Sequence, residues 1–184
     1  MNELLKKRLL AVSTSGAIAV AAALGAWYEG DGPTVTQPDG TVLYRVYLDP
    51  VGIPTVCRGV TGSDVVRGRL YTATECRVLE QKHLARAEAS ARRLIAGYDQ
   101  LNQWQKGALI DWLYNVGETK ARESTLRRKF AVGDLDGGCN ELVKWVKGRV
   151  KGELVTLPGL VDRRGATQEL CLHWGHPGYP RDPA

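Results

Sequence analysis

Two carboxyl groups and a hydroxyl group follow the end of a long uncharged segment in this chain. Glu29 stands at that end, and Asp49 and Thr55 come after it in a Gly-rich, strand-forming stretch. Hydrolysis of a glycosidic bond requires two carboxyl groups, one of which must hold a proton near neutral pH. Glu29 suits the acid role, because an apolar helix end beside Trp27 and Tyr28 disfavours a charged carboxylate. Asp49, on a more polar strand, is expected to stay ionised.

The uncharged segment, residues 9–28, has the length of a membrane span but is weakly hydrophobic. Twenty helical residues cover about 30 Å, the thickness of a hydrocarbon core. Its seven alanines, two glycines and three hydroxyl residues bring the free energy of insertion close to balance. The basic residues Lys6, Lys7 and Arg8 would keep the N-terminus in the cytoplasm. The pattern predicts a segment that enters a membrane and can later leave it.

Three other interpretations of residues 9–28 compete with this one. The segment could be a permanent anchor, a buried Ala-rich helix of a cytosolic protein, or a cleaved signal peptide. The Ala-x-Ala triplets at Ala19–Ala21 and Ala21–Ala23 are candidate cleavage sites. Cleavage there would remove the helix that positions Glu29, so we expect the segment to be retained.

The residues that follow are predicted to form a small sheet and then a set of helices. Residues 34–44 are typical of a hairpin with a Pro-Asp-Gly turn, and Val46–Asp49 and Ile53–Cys57 of further strands. From Thr72 the apolar period becomes helical. The predicted helices run from Thr72 or Thr74 to about Ala96, from Leu101 to Val116, from Thr125 to Val132, across Leu135–Val146 and from Leu160 to Trp174, with a loop at 148–158.

The four cysteines suggest disulfides, because an even number follows an export-like N-terminus. Three connectivities are possible, and buried free thiols are the alternative. Cys139 and Cys171 fall on apolar faces of two late helices, while Cys57 ends a strand and Cys76 begins a helix. We therefore propose the bridges Cys57–Cys76 and Cys139–Cys171. No metal-ligand spacing is present, and we expect neither a metal nor another cofactor.

The charge balance is mildly basic, with 25 Lys and Arg against 20 Asp and Glu. No concentrated basic stripe with interleaved aromatic residues is visible, so we do not expect a nucleic-acid partner. A weak positive field fits an acidic polymer such as peptidoglycan, and equally fits solubility alone. We expect the protein to be a monomer.

Three separated motifs, in order, resemble the phage-type lysozymes of glycoside hydrolase family 24. The first is Glu29-Gly30 with residues 47–59, the second is residues 113–117 with 124–129, and the third is residues 157–172. The likeness covers about residues 27–174. Together with the Ala-rich N-terminus, the chain resembles the signal-anchor-release endolysins of phages that infect Gram-negative bacteria.

The resemblance implies an α+β, lysozyme-like fold with a small sheet lobe at 29–70 and a larger helical lobe at 71–174. A weakly hydrophobic signal-anchor helix would occupy residues 1–28, and a disordered tail residues 175–184. It also implies that Glu29 is the general acid, Asp49 the second carboxylate and Thr55 a residue that positions water, with inversion at the sugar carbon.

Two features depart from the family pattern. Nineteen residues separate Glu29 from Asp49, more than the family usually has, and the excess coincides with the predicted hairpin. Asp31 or Asp39 could therefore take the place of Asp49. The family's Gly-His-Thr-Gly is here Gly59-Val60-Thr61-Gly62, which lacks the histidine.

The expected function is hydrolysis of the β-1,4 bond between N-acetylmuramic acid and N-acetylglucosamine in peptidoglycan. The enzyme would be held inactive in the host inner membrane through residues 9–28, with its N-terminus inside and C-terminus outside. It would then be released into the periplasm. The alternatives are a secreted lysozyme with a cleaved signal, a lytic transglycosylase, and a non-catalytic peptidoglycan-binding envelope protein.

Overall fold

A computed structural model describes residues 1–49, 52–150 and 152–179 of the chain. The helices are α1 Glu3–Ala11, α2 Ala17–Tyr28, α3 Ala73–Leu94, α4 Gln103–Val116, α5 Glu118–Arg122, α6 Thr125–Ala131, α7 Leu135–Asn140 and α8 Pro158–Leu172. The strands are β1 Thr34–Thr36, β2 Val42–Arg45, β3 Tyr47–Leu48, β4 Pro54–Val56, β5 Val60–Thr61, β6 Leu70–Tyr71, β7 Lys147–Val150 and β8 Glu153–Thr156. The predicted α+β architecture, with a small sheet lobe and a larger helical lobe, is confirmed.

Helix α4 forms the centre of the helical lobe, and α2, α3 and α8 pack around it. Its N-terminus is capped by the Asn102 side chain, which accepts hydrogen bonds from the backbone N–H groups of Trp104 and Gln105. The helix is terminated by the next residue, Gly117, whose φ of +81° is a backbone conformation that favours glycine. Trp104 and Trp112 are fully buried. A helix that is apolar on most faces is expected to lie inside a protein.

The uncharged segment 9–28 is divided between two helices in the fold. Helix α1 ends at Ala11, and α2 begins after Gly16, whose φ is +83°. Helix α2 packs closely on α4. The closeness is visible at Gly107 of α4, where an added Cβ atom would lie only 2.5 Å from the side chain of Val20. The side chains of Leu5 and Leu9 on α1 are fully buried in the same core. Residues from both helices thus belong to the core of the helical lobe.

Among the helices in the described part of the chain, none combines the length and the apolar character that a membrane crossing requires.

Two three-stranded antiparallel sheets form the smaller lobe. The first has the order β1–β2–β6 and contains the predicted hairpin, with Thr36 opposite Val42. The second has the order β3–β4–β5 and pairs Tyr47 with Thr55 and Thr55 with Thr61. A small separate core lies beneath these strands and contains Val56, Cys57, Val60, Tyr71 and Cys76.

The structure pairs the four cysteines as Cys57–Cys76 and Cys139–Cys171, with Cα atoms 5.5 and 5.6 Å apart. The first bridge joins the end of the second sheet to α3, and the second joins α7 to α8. This is the pairing that the predicted positions of the cysteines had favoured. The two bridges link residues that are 19 and 32 positions apart in the sequence.

Parts of the C-terminal third differ from the predicted elements. The predicted loop at 148–158 is wrong, because β7 and β8 form a hairpin and Leu157 leads directly into α8. The helix predicted across Leu135–Val146 ends at Asn140 and gives way to a 3-10 turn. Of the predicted disordered tail, residues 175–179 form turns, and residues 180–184 lie outside the described residues. Pro50, Val51 and Lys151 also lie outside them.

Candidate active site

A cleft of about 620 Å³ separates the sheet lobe from the helical lobe. Its walls come from the end of α2, the β3–β5 sheet, the end of α4 and the start of α8. Glu29, Asp49 and Thr55 all line this cleft. The structure therefore brings the three predicted site residues together, although Glu29 follows helix α2 and the other two belong to the hairpin of β3 and β4.

Glu29 is the first residue after α2, and its backbone N–H donates to the carbonyl of Gly25. Its carboxylate oxygen Oε1 accepts a hydrogen bond of 2.6 Å from Nη1 of Arg163. The side chain retains 21% of its exposure, so it is largely buried but still reaches the cleft. Burial raises the pKa of the Glu29 carboxyl, while the charge and hydrogen bond of Arg163 act in the opposite direction.

Asp49 follows β3 at the turn that leads towards β4. Its Oδ1 accepts a hydrogen bond of 2.8 Å from the backbone N–H of Ile53, and its own N–H donates to the Ile53 carbonyl over 3.0 Å. These two bonds fix the aspartate in the turn of a short hairpin. The side chain is half-buried and lines the open cleft. The Asp49 carboxylate is therefore accessible both to solvent and to a ligand bound in the cleft.

Thr55 lies in the middle of β4, and only 3% of it is exposed. Its hydroxyl donates to the Ile53 carbonyl over 3.0 Å. The hydroxyl oxygen can still accept a hydrogen bond, which a water in the cleft could donate. Thr55 and Asp49 thus hydrogen-bond to the same residue, Ile53, and this shared partner fixes their relative position.

The two alternative carboxylates are committed elsewhere. Asp31 forms an ion pair of 2.6 Å with Arg58. Asp39 accepts a hydrogen bond of 2.9 Å from the backbone N–H of Thr41 in the turn between β1 and β2. Among the described residues that line the cleft, neither of these two aspartates is present. The extra hairpin therefore does not bring Asp39 into the cleft.

Behind Glu29 lies a buried network of charged side chains. Arg163, only 2% exposed, donates to both carboxylate oxygens of Asp111, at 3.0 Å from Nε and 2.7 Å from Nη2. Arg164 lies 3.4 Å from the same carboxylate and also donates to the side chain of Asn115. Arg163 and Arg164 fall within the third sequence motif, residues 157–172, whereas Asp111 lies outside all three motifs. The available signal was a lone acidic residue on a helix, α4, that is otherwise largely buried and apolar.

Gly59, in the β4–β5 connection, and Val60, the first residue of β5, each have a residue type that their surroundings explain. Gly59 has a φ of +76°, and a Cβ at this position would lie 2.8 Å from Oε2 of Glu29. Val60, at the position of the family's usual histidine, is fully buried in the small core and pairs with Val56. A charged or polar ring is therefore replaced here by an apolar packing contact.

Comparisons with known proteins identify the family of the chain. The family "Phage lysozyme" matches residues 39–167. The SAR-endolysin of Enterobacteria phage P21 is 38% identical over 178 residues, covering 93% of this chain and 96% of its own. The SAR-endolysin of Bacteriophage PS119 is 35% identical over 182 residues, covering 95% and 98%.

Among solved structures, the crystal structure of the active form of P1 phage endolysin Lyz superimposes with a TM-score of 0.67. The match covers 96% of each chain at 21% sequence identity, so it speaks for the fold alone. The sequence identity to the endolysins and the family match over residues 39–167 carry the assignment. The chain belongs to the phage lysozyme family.

Proposed function

We propose that this phage lysozyme is an endolysin that hydrolyses the β-1,4 bond between N-acetylmuramic acid and N-acetylglucosamine in peptidoglycan to lyse the host. The observation that carries the proposal is the shared cleft, in which a carboxyl group of raised pKa, Glu29, accompanies a second carboxylate, Asp49, and the Thr55 hydroxyl. A cleft of this size that is open to solvent can bind a stretch of a polymer chain, whereas an enclosed cavity could hold only a small molecule.

In the proposed reaction Glu29 is the general acid. It gives its proton to the glycosidic oxygen as the bond from that oxygen to the muramic acid carbon breaks. The positive charge that develops on the sugar ring is stabilised by the Asp49 carboxylate. A water held by Thr55 and Asp49 attacks the same carbon and loses its proton to Asp49. The products are two glycan ends, one of which is a reducing end.

The test is to incubate purified peptidoglycan with the wild type and with Glu29→Gln, and to analyse the fragments by mass spectrometry. We expect reducing-end fragments from the wild type alone, because glutamine cannot supply the proton. Anhydro-sugar ends would instead identify a lytic transglycosylase. A protein that binds peptidoglycan and releases no fragments would refute the hydrolase proposal and leave a binding protein.

The proposal includes an inactive state in the host inner membrane, with the N-terminus in the cytoplasm and the catalytic domain outside. Residues 9–28 would then lie in the bilayer and hold Glu29 at its surface, away from Asp49. Release into the periplasm would let α2 pack on α4. Support comes from the position of Glu29 directly after α2, since the docking of this helix sets where the carboxyl group lies. Loss of the membrane potential is the proposed trigger.

Fractionation of expressing cells tests this part of the proposal. Before treatment we expect the protein in the membrane fraction, and after an uncoupler we expect it in the soluble fraction with its full mass. A mature protein shortened at one of the alanine triplets would support a cleaved signal peptide instead. Protein that stays in the membrane after uncoupling would contradict release by loss of potential.

A further inference from the structure

The buried arginine behind the cleft contacts two carboxylates with different parts of its guanidinium group. Its Nη1 donates to Glu29, while Nε and Nη2 donate to the two oxygens of Asp111. The pair with Asp111 is bidentate, which fixes the plane of the guanidinium group. Asp111 is only 1% exposed, and Arg163 only 2%. The direction of the bond to Glu29 is therefore set by Asp111, on the central helix.

The charges of this network matter as much as its geometry. A buried arginine whose sole anionic partner was Glu29 would favour the ionised carboxylate strongly. Such a carboxylate could not act as an acid near neutral pH. Asp111 supplies a second negative charge, which offsets the positive charge that Glu29 experiences. Arg163 can then orient Glu29 while Glu29 still holds its proton.

From this geometry we infer that Asp111 and Arg163 are positioning residues for Glu29, with Asp111 neutralising the arginine that orients the general acid. This inference rests on the proposed role of Glu29. Neither residue needs to touch the bond that is cleaved. Arg163 sets the orientation of the carboxyl group, and Asp111 sets the orientation of Arg163 and offsets its positive charge.

Other ionisable groups also surround Glu29 and must be considered for any effect of pH. They come from α8, α4, α3, the sheet lobe and the β4–β5 connection, and they are Arg163, Arg164, Asp111, Tyr114, Glu80, Tyr47, Asp49 and Arg58. Two other acidic residues line the small space behind Glu29. Glu80 forms an ion pair with Arg58, and Asp111 forms one with Arg163. Asp111 is thus the carboxylate bound to the arginine that contacts Glu29.

The test is the pH dependence of kcat/KM on purified peptidoglycan for the wild type, Asp111→Asn and Asp111→Glu. In Asp111→Asn the charge of Arg163 is less compensated, so the carboxyl of Glu29 loses its proton at lower pH. We expect the alkaline limb of the profile to move about one pH unit lower. Asp111→Glu keeps the negative charge, and its limb should stay near that of the wild type although its activity falls.

Glu141→Gln is the matched control, because Glu141 is also a buried carboxylate in ion pairs but stands at the end of α7, where its partners are Lys129 and Lys144. Its alkaline limb should not move. Arg163→Lys keeps the positive charge but cannot donate in parallel to one carboxylate while reaching a second. We expect it to lose about tenfold or more of kcat at every pH, without recovery at low pH.

An alkaline limb in Asp111→Asn that stays in place or moves upward would overturn the inference, as would wild-type kcat in Arg163→Lys. Thermal unfolding of each variant establishes that the folded protein is compared. Should Asp111→Asn fail to fold, Asp111→Glu and Arg163→Lys decide, and wild-type kcat in either of them would overturn the inference. Full activity of Glu29→Gln would instead refute the proposed general acid, so the two failures are distinguishable.

Discussion

Gly59 lies against the carboxyl group of Glu29 and leaves no room for a side chain. Its backbone has a φ of +76°, and an added Cβ would lie 2.8 Å from Oε2 of Glu29. The carboxyl group is thus confined by Gly59 on one side and by Arg163 on the other. A general acid must hold its proton within hydrogen-bond reach of the leaving oxygen, so this confinement bears directly on activity.

We predict that Gly59→Ala lowers activity at least tenfold, because the new methyl group displaces Glu29. Gly62→Ala is the control, since Gly62 has a φ of +82° and nothing within 4 Å of an added Cβ. Both variants should lose about 1–2 kcal/mol of stability, because alanine is strained in the left-handed backbone conformation that glycine adopts there. Peptidoglycan turbidity assays and urea unfolding check this, and equal losses of activity in the two variants would contradict it.

The raised pKa of Glu29 also predicts how stability depends on pH. A carboxyl whose pKa is higher in the folded state than in the unfolded chain favours folding while it is protonated, and this contribution is lost as pH rises through the folded pKa. Glutamine has no charge to bury. Glu29→Gln is therefore expected to be more stable than the wild type above the folded pKa, and the difference should disappear below the unfolded one.

Urea unfolding at an acidic and a neutral pH measures this difference. Glu118→Gln provides a control of opposite sign, because a hydrogen bond from Ser90, with the nearby Arg93 and Arg122, holds the pKa of Glu118 below its usual value. It should be less stable than the wild type at neutral pH. A Glu29→Gln variant destabilised at neutral pH would mean that the ion pair with Arg163 outweighs the burial of the charge.

At the scale of elements, the contact between α2 and α4 determines where Glu29 lies. Gly107 lies in the middle of α4, and an added Cβ would approach Val20 to 2.5 Å and the carbonyl of Ala17 to 3.2 Å. Glycine is otherwise unfavourable inside a helix. Its presence at this position allows the backbones of the two helices to approach each other, and Glu29 follows directly from the end of α2.

We predict that Gly107→Ala destabilises the fold by about 1–3 kcal/mol, because overpacking outweighs the gain in helix propensity, and that it lowers activity by shifting α2. Gly165→Ala in α8 is the control. Nothing lies within 4 Å of an added Cβ there, so it should be stabilised by up to about 1 kcal/mol. Thermal unfolding and turbidity assays distinguish the two, and a stabilised, fully active Gly107→Ala would contradict the tight contact.

At the scale of the whole molecule, one disulfide links the sheet lobe to helix α3 and the other lies within the helical lobe. Cys57–Cys76 closes a sequence separation of 19 residues beside the active site, and Cys139–Cys171 closes 32 residues within the helical lobe. Chain-entropy arguments give about 3–4 kcal/mol of stabilisation for loops of these sizes. Cys57 lies two residues after Thr55, whereas the second bridge joins two helices of the opposite lobe.

We therefore expect the double variants Cys57→Ser/Cys76→Ser and Cys139→Ser/Cys171→Ser to lose similar stability in urea, about 3 kcal/mol each. Only the first should lose activity at a temperature where both remain folded, since it loosens the strand that carries Thr55. The wild type treated with a reductant should show the stability losses of both double variants and the activity loss of the first. Equal loss of activity in the two variants would mean that the bridges act on stability alone.

Much of the fold followed from local patterns in the sequence. The helix boundaries predicted at Thr72, Val116 and Thr125 lie within a few residues of the observed ones, because the hydrogen bonds and backbone angles that cap a helix are local. The hairpin at 147–156 was missed. Its short strands carry charged and polar residues on both sides of Gly152, and only the pairing across the turn identifies them as strands.

The sequence by itself determined the family, the lobes and the three residues for which we propose roles in catalysis, because these rest on motifs of neighbouring residues. Tertiary structure alone decided that Asp49 and not Asp31 or Asp39 shares the cleft with Glu29, and that Arg163 and Asp111 stand behind it. Charges separated by 52 residues meet only when α4 and α8 pack. Their effect on Glu29 depends on distance and burial, which no local pattern encodes.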